Sequence, residues 1–286
     1  HKATSQDVAL LLGGSMSAYE IIHTRVARGH IRHALFDFDG TLSLIREGWQ
    51  QVMAPLMLEV LQETPQHEPA EAMQALVTAF IDRTTGIQTI YQMMGLADLV
   101  RERGGIPLKA AEYKAEYLAR LHRHIAARLD GLRSDAIARS TYIVPGAEAF
   151  LQALSQQVTC YVASGTDVAN VREEAALLGL DRWIAGGIFG ALDNLEAYSK
   201  EKVIGDILSQ HQLAGESLVT FGDGYVEIEN TAAVGGIAVG VATNERSPGR
   251  IDTWKRERLI AAGAQVIVAD FSAWPALAEY LGLFQL

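Results

Sequence analysis

Cysteine is almost absent from this chain of 286 residues: Cys160 stands alone, inside the apolar run Val158 to Ala163. A disulfide framework and a thiolate metal site are both excluded, and a reducing, cytoplasmic setting is expected. Positive charge is scarce as well. Lys and Arg number 24 against 34 Asp and Glu, a formal charge of −10. No stretch gathers enough basic residues to hold a polyanion, so nucleic acid is not an expected partner. Long hydrophobic runs are missing too. The longest near the start, Val8 to Leu12, stops at Gly13-Gly14 and is far too short to span a bilayer, so no membrane association is expected.

What is present is an ordinary globular composition, 49% hydrophobic and 20% charged, at a length that suits one α/β domain plus a smaller unit. The acid excess does not exclude a small anionic substrate, because a bound divalent cation inverts the local field. Asp7 to Arg28 reads as a helix with Tyr19, Ile22 and Val26 on one face, giving an N-terminal helical extension over residues 1–29. Gly13-Gly14-Ser15 lacks the Lys-Ser or Lys-Thr pair of a phosphate loop and reads as a turn. Ala34 to Phe38 is a short buried strand that stops at Gly40-Thr41. From Ile45 to Ser140 the periodicity becomes helical, in about four segments separated by Pro65, Pro69, Gly86 and the stretch Gly104 to Pro107. Strands and helices alternate after Pro145-Gly146, with strands expected at 158–163, 218–221, 237–241 and 265–268. This series predicts a doubly wound parallel sheet over residues 30–44 and 139–286, interrupted by an all-helical insertion over 45–138.

Four polar clusters stand out, three of them at the carboxyl ends of these strands, the edge at which an open α/β sheet binds ligands. Asp37-Phe38-Asp39-Gly40-Thr41 sets two carboxylates two residues apart, on one face of a strand. Such a pair is costly without a cation or a shared proton. Val162-Ala163-Ser164-Gly165-Thr166 ends an apolar strand in hydroxyls and a glycine that admits close approach, which suits either a helix N-cap or a phosphate-oxygen cradle. Ser199-Lys200-Glu201-Lys202 precedes an amphipathic helix, where a lysine reads by itself as solvated surface, and the register with Val203-Ile204 favours Lys200 as the inward one, with Lys202 as the alternative. Phe221-Gly222-Asp223-Gly224-Tyr225-Val226-Glu227 returns acidic groups to the same edge as Asp37.

These four motifs, in this order, resemble the haloacid dehalogenase superfamily, in particular its phosphatases with a helical cap inserted after the first motif. The resemblance covers the chain from Ile31 onward. It implies Asp37 as nucleophile and Asp39 as general acid and base. A carboxylate attacks phosphorus competently, and a second can protonate the leaving oxygen and then activate water. It implies Ser164 and Lys200 as partners of the phosphate, with Gly165, Thr166 and Thr41 beside it. It further implies Mg²⁺ held by Asp37, Asp223 and the carbonyl of Asp39, an oxygen-only set suited to that ion. The family carries Asp four residues after Asp223. This chain has Glu227 there, with Glu229 as the alternative.

In the insertion, Arg83-Thr84-Thr85-Gly86-Ile87-Gln88-Thr89 concentrates polar groups around a glycine, and Arg83 and Gln88 are the expected contacts to the leaving group. The expected substrate is a small phosphorylated metabolite, such as a sugar or polyol phosphate. A phosphomutase would share every core motif, and a catalytically idle metal- or phosphate-binding module is the reading from another class. Asp at position 39 argues against carbon–halogen cleavage, where a leaving-group acid has no use.

Overall fold

The computed structural model describes residues 19–23, 26, 28–192 and 198–283. Seven strands form one sheet: β1 (Glu20–Ile21), β2 (His33–Phe36), β3 (Thr159–Asp167), β4 (Gly187–Ala191), β5 (Leu218–Gly222), β6 (Ile237–Val241) and β7 (Val266–Val268). Their order is β1-β7-β6-β5-β2-β3-β4, and every pairing is parallel except that of β1 with β7. Ten helices accompany them among the described residues. Four form the insertion that follows β2: α1 (Gln50–Gln62), α2 (Ala70–Thr84), α3 (Thr89–Glu102) and α4 (Ala110–Arg133). The others are α5 (Ala147–Ser155), α6 (Val168–Leu178), α7 (Lys200–Gln210), α8 (Tyr225–Ala233), α9 (Thr253–Ala261) and α10 (Trp274–Leu281).

β2 is buried along its whole length, as the run His-Ala-Leu-Phe requires for the middle of a parallel sheet covered on both faces. Its residues alternate between the two faces. Phe36 joins Phe221, Phe150 and Phe271 in an aromatic cluster, with Phe36 and Phe221 stacked at 4.8 Å between ring centroids. Leu35 faces the other way, onto Val203, Ile204 and Ile207 of α7. The ladder continues past β2, where the Asp37 N–H donates to the Phe221 carbonyl at 2.9 Å. The first motif is therefore anchored to β5 before the chain leaves the sheet.

Two elements differ from the sequence reading. Residues 19–23 are extended rather than helical: β1 lies on the free edge of β7, and the amides of Ile22 and His23 donate to the Gln265 carbonyl. The apolar residues that suggested a helical face still cover the core, with Tyr19 against the Tyr280 ring at 5.1 Å. Residues 7–18 of that expected helix, including Gly13-Gly14-Ser15, lie outside the described residues. The second difference is β4, which was not foreseen because Gly187-Ile-Phe-Gly-Ala191 carries two glycines and little alternation. No described helix is long and apolar enough to cross a membrane.

Candidate active site

Asp37, Ser164 and Asp223 stand at the carboxyl ends of the adjacent strands β2, β3 and β5, so the parallel register alone brings three of the four motifs to one edge. Asp37 is buried, at 7% exposure. Its Oδ1 accepts the Phe38 N–H at 2.8 Å and its Oδ2 faces Lys200 Nζ at 3.0 Å. Lys200 opens α7, where the Ser199 hydroxyl caps the helix through the Lys202 N–H at 3.0 Å. That register turns Lys200 inward, at 4% exposure, and leaves Lys202 on the exposed side. Lys200 Nζ also donates to Glu227 Oε2 at 2.7 Å, and Glu227 Oε1 accepts the Gly224 N–H at 2.8 Å. Glu227 is 1% exposed, whereas Glu229 is exposed on the outer face of α8.

Carboxylate oxygens of Asp37, Asp223 and Glu227 lie within 4.8 Å of one another. The loops that carry the two aspartates meet without spare room: Gly40 has φ +75°, and a Cβ there would sit 2.2 Å from Asp223 Oδ2. A side chain at position 40 would push the two acidic loops apart. Asp223 Oδ2 accepts from Lys255 Nζ at 2.7 Å, and Lys255 also reaches Glu245 Oε1 at 2.8 Å. Asp39 turns away from the three oxygens. Its Oδ2 accepts from the Thr166 hydroxyl at 2.8 Å and lies 3.4 Å from Ser164 Oγ, while Oδ1 is buried with no hydrogen-bond partner and stands 3.8 Å from Arg46 Nε.

Burial dominates the electrostatics. It lifts the Asp37 carboxyl well above the usual carboxylate range, with Lys200 pulling the other way and Glu227 and Asp223 adding to the rise. It opposes the charge on Lys200 as well, but Asp37 and Glu227 outweigh it and hold the ammonium above its ordinary value. Five carboxylates (Asp37, Asp39, Asp223, Glu227, Glu245) thus gather around two ammonium groups (Lys200, Lys255), and Arg46 is balanced by its bidentate partner Glu174 at 2.7 and 3.1 Å. This excess of hard, negative oxygen donors fits a divalent cation of the magnesium type.

The cluster forms the floor of a cavity of about 100 Å³. Its roof comes from the four-helix block: Arg46 and Trp49 before α1, Thr85-Gly86-Ile87 between α2 and α3, Thr89 and Gln92 at the start of α3, and Tyr117 with Leu121 of α4. Gly165 and Gly86 admit the close contact of roof and floor. A Cβ on Gly165 would lie 3.1 Å from the Ile87 carbonyl oxygen, and Gly86, at φ +97°, comes against the Gly224 backbone.

Of the residues expected from sequence, Asp37, Asp39, Ser164, Gly165, Thr166, Lys200 and Asp223 line this cavity, and Glu227 lies beneath it. Three do not line it. Arg83 ends α2 on the exposed side, its guanidinium over the Phe80 ring, and lines a separate shallow depression beside α9. Gln88 is buried and ties the loop to the core by donating to the Tyr198 carbonyl at 3.1 Å. Thr41 is wholly buried, behind the turn at Gly40. Arg46, Tyr117, Glu245 and Lys255 were missed. Arg46 interrupts an apolar stretch, which is a faint signal, whereas Glu245 and Lys255 sit in polar runs that read as solvated surface.

The pattern of the haloacid dehalogenase-like hydrolases matches residues 31–235, nearly three quarters of the chain. The chain belongs to this family. The hydrolase finds no match among proteins of curated function. Its fold is shared with several solved structures at low identity. The β-phosphoglucomutase of Clostridium difficile superposes with a TM-score of 0.59 at 15% identity, over 87% of this chain and 96% of that one. A protein of Haemophilus somnus described as a predicted phosphoglycolate phosphatase gives 0.55 at 15%, over 87% and 98%. A family hydrolase of Deinococcus radiodurans, solved with bound phosphate and sodium, gives 0.53 at 18%, over 90% and 99%.

Proposed function

We propose that this hydrolase is a Mg²⁺-dependent phosphatase that cleaves a small phosphate monoester through an aspartyl-phosphate. The observation that carries the proposal is the meeting of Asp37, Asp39, Ser164, Lys200, Asp223 and Glu227 at one enclosed edge of the sheet. Asp37 Oδ attacks phosphorus, forming the acyl-phosphate bond as the ester oxygen departs. Asp39 gives that oxygen its proton, then takes one from the water that hydrolyses the intermediate and frees phosphate. The Ser164 and Thr166 hydroxyls, which hold Asp39 Oδ2 at 3.4 and 2.8 Å, keep its carboxyl at the mouth of the phosphate position. Lys200 balances charge on the nucleophile and on the phosphoryl oxygens, an electrostatic contribution that phosphoryl transfer depends on. Asp37, Asp223, Glu227 and the Asp39 carbonyl are the groups that would hold Mg²⁺, which supplies further neutralisation of the phosphate.

The enclosed cavity and its mixed polar roof suit a compact, oxygen-bearing leaving group such as a sugar or polyol phosphate. The same roof would shield a phospho-enzyme from water, as a phosphomutase requires, and one fold neighbour is named as a phosphomutase. A panel of phosphate esters assayed with and without Mg²⁺ distinguishes the two: free phosphate marks the phosphatase and an isomerised ester the mutase. Asp37→Asn abolishes turnover while circular dichroism stays unchanged. Magnesium-dependent release that persists in that variant overturns the assignment.

A further inference from the structure

We infer that Lys255 and Glu245 are a positioning pair for Asp223 and set how tightly the divalent cation is held, an inference that rests on the acidic cluster being a metal site. Both residues lie beyond residue 235, outside the segment matched to the family. Lys255 sits in the first turn of α9, the positive end of a helix, where a cation is disfavoured. It is nonetheless 6% exposed, with its Nζ between Asp223 Oδ2 at 2.7 Å and Glu245 Oε1 at 2.8 Å. A lysine that served only to solvate the helix would extend outward. This one is drawn in by two carboxylates, which together outweigh its burial.

The consequence follows from the charges. Lys200 attends to Asp37 and Glu227, and Lys255 attends to Asp223 and Glu245, so an ammonium flanks the three clustered oxygens on each side. Lys255 withdraws negative charge from Asp223 and competes with the divalent ion for it. Glu245 lines the cavity and does the reverse: it shares the Lys255 ammonium and adds a negative charge to the same cavity. The two side chains therefore pull the metal affinity in opposite directions.

Calorimetric titration of substrate-free protein with Mg²⁺ tests this without reference to turnover. Lys255→Met binds Mg²⁺ about ten-fold more tightly than the parent and Glu245→Gln about ten-fold more weakly, the scale of one unit charge at short range in a partly screened site. The double variant returns close to the parent. Changes of the same sign in both single variants, or none beyond two-fold, overturn the inference. If Lys255→Met does not fold, Glu245→Gln decides alone: weaker binding supports the pair, and unchanged or tighter binding overturns it. A parent that binds no divalent cation overturns the metal reading itself, and this inference with it.

Discussion

Replacing Lys200 by methionine is the most searching test of how the buried charges are held. The substitution keeps most of the side-chain volume and removes one ammonium, 3.0 Å from Asp37 and 2.7 Å from Glu227, where every partner is nearly solvent-free. Deleting one member of a buried ion pair costs about 3–5 kcal/mol, because the charge left behind has no water to turn to. With an unfolding entropy of about 2.1 cal/mol/K per residue, 286 residues give about 0.6 kcal/mol/K, and Tm falls by roughly 5–8 °C. The deficit depends on pH in a direction that can be worked out. Burial already raises the Asp37 carboxyl, and loss of Lys200 raises it further. A carboxyl that is raised in the folded state contributes stability that is present below its unfolded value, near ~4, and lost as pH rises through the folded value. The Lys200→Met deficit is therefore smaller at pH 5 than at pH 8, and saturating Mg²⁺ narrows it at pH 8. Scanning calorimetry of parent and variant at both pH values, with and without the ion, measures all of this. A Tm within about 2 °C of the parent at pH 8, or a deficit that grows toward acid, would refute the reasoning. Turnover drops by about 10²–10³-fold in the same variant, the usual scale for removing one preorganised electrostatic partner.

Two further outcomes are expected. Arg258 lies between the Tyr225 and Trp254 rings and donates to the carbonyls of Asp82, Arg83 and Thr85, so it fixes the chain entering the cavity roof. Arg258→Ala costs about 2 kcal/mol and speeds amide exchange over residues 85–87, read by mass spectrometry, and unchanged exchange would dismiss that role. Burial pushes the Cys160 thiol up to about 12, so the native protein resists a thiolate-directed reagent at pH 8 and reacts fully in urea. Stoichiometric labelling without denaturant would contradict the burial.

The parts of the site that could be read from the chain are those whose chemistry is compressed into a few residues. Asp37 and Asp39 close a buried strand, and Asp223 closes another, so a parallel register was enough to predict that they meet. Lys200 was separable from Lys202 because helix periodicity turns one inward. Illegible were pairings across the fold. Arg46 and Glu174 are 128 residues apart and Lys255 and Asp223 are 32 apart, and beyond the faint break that Arg46 makes in an apolar stretch neither basic residue is set apart from solvated surface. That Arg83 lies off the cavity was hidden for a related reason: a polar loop next to a glycine says that the chain bends, but not which side of the bend faces the cavity. The edge strands escaped because two residues, or a glycine-rich five, give no period to detect.

The shorter of those edge strands carries a responsibility out of proportion to its length. β7 would otherwise offer its backbone amides and carbonyls to any passing chain, and an uncovered border of that kind invites strand-by-strand self-association. Glu20 and Ile21 occupy it, and the Glu20 carboxylate is clasped by Arg256 at 2.5 and 2.7 Å. A protein trimmed past Ile21 would keep the residues of the cavity and bare that border to another chain.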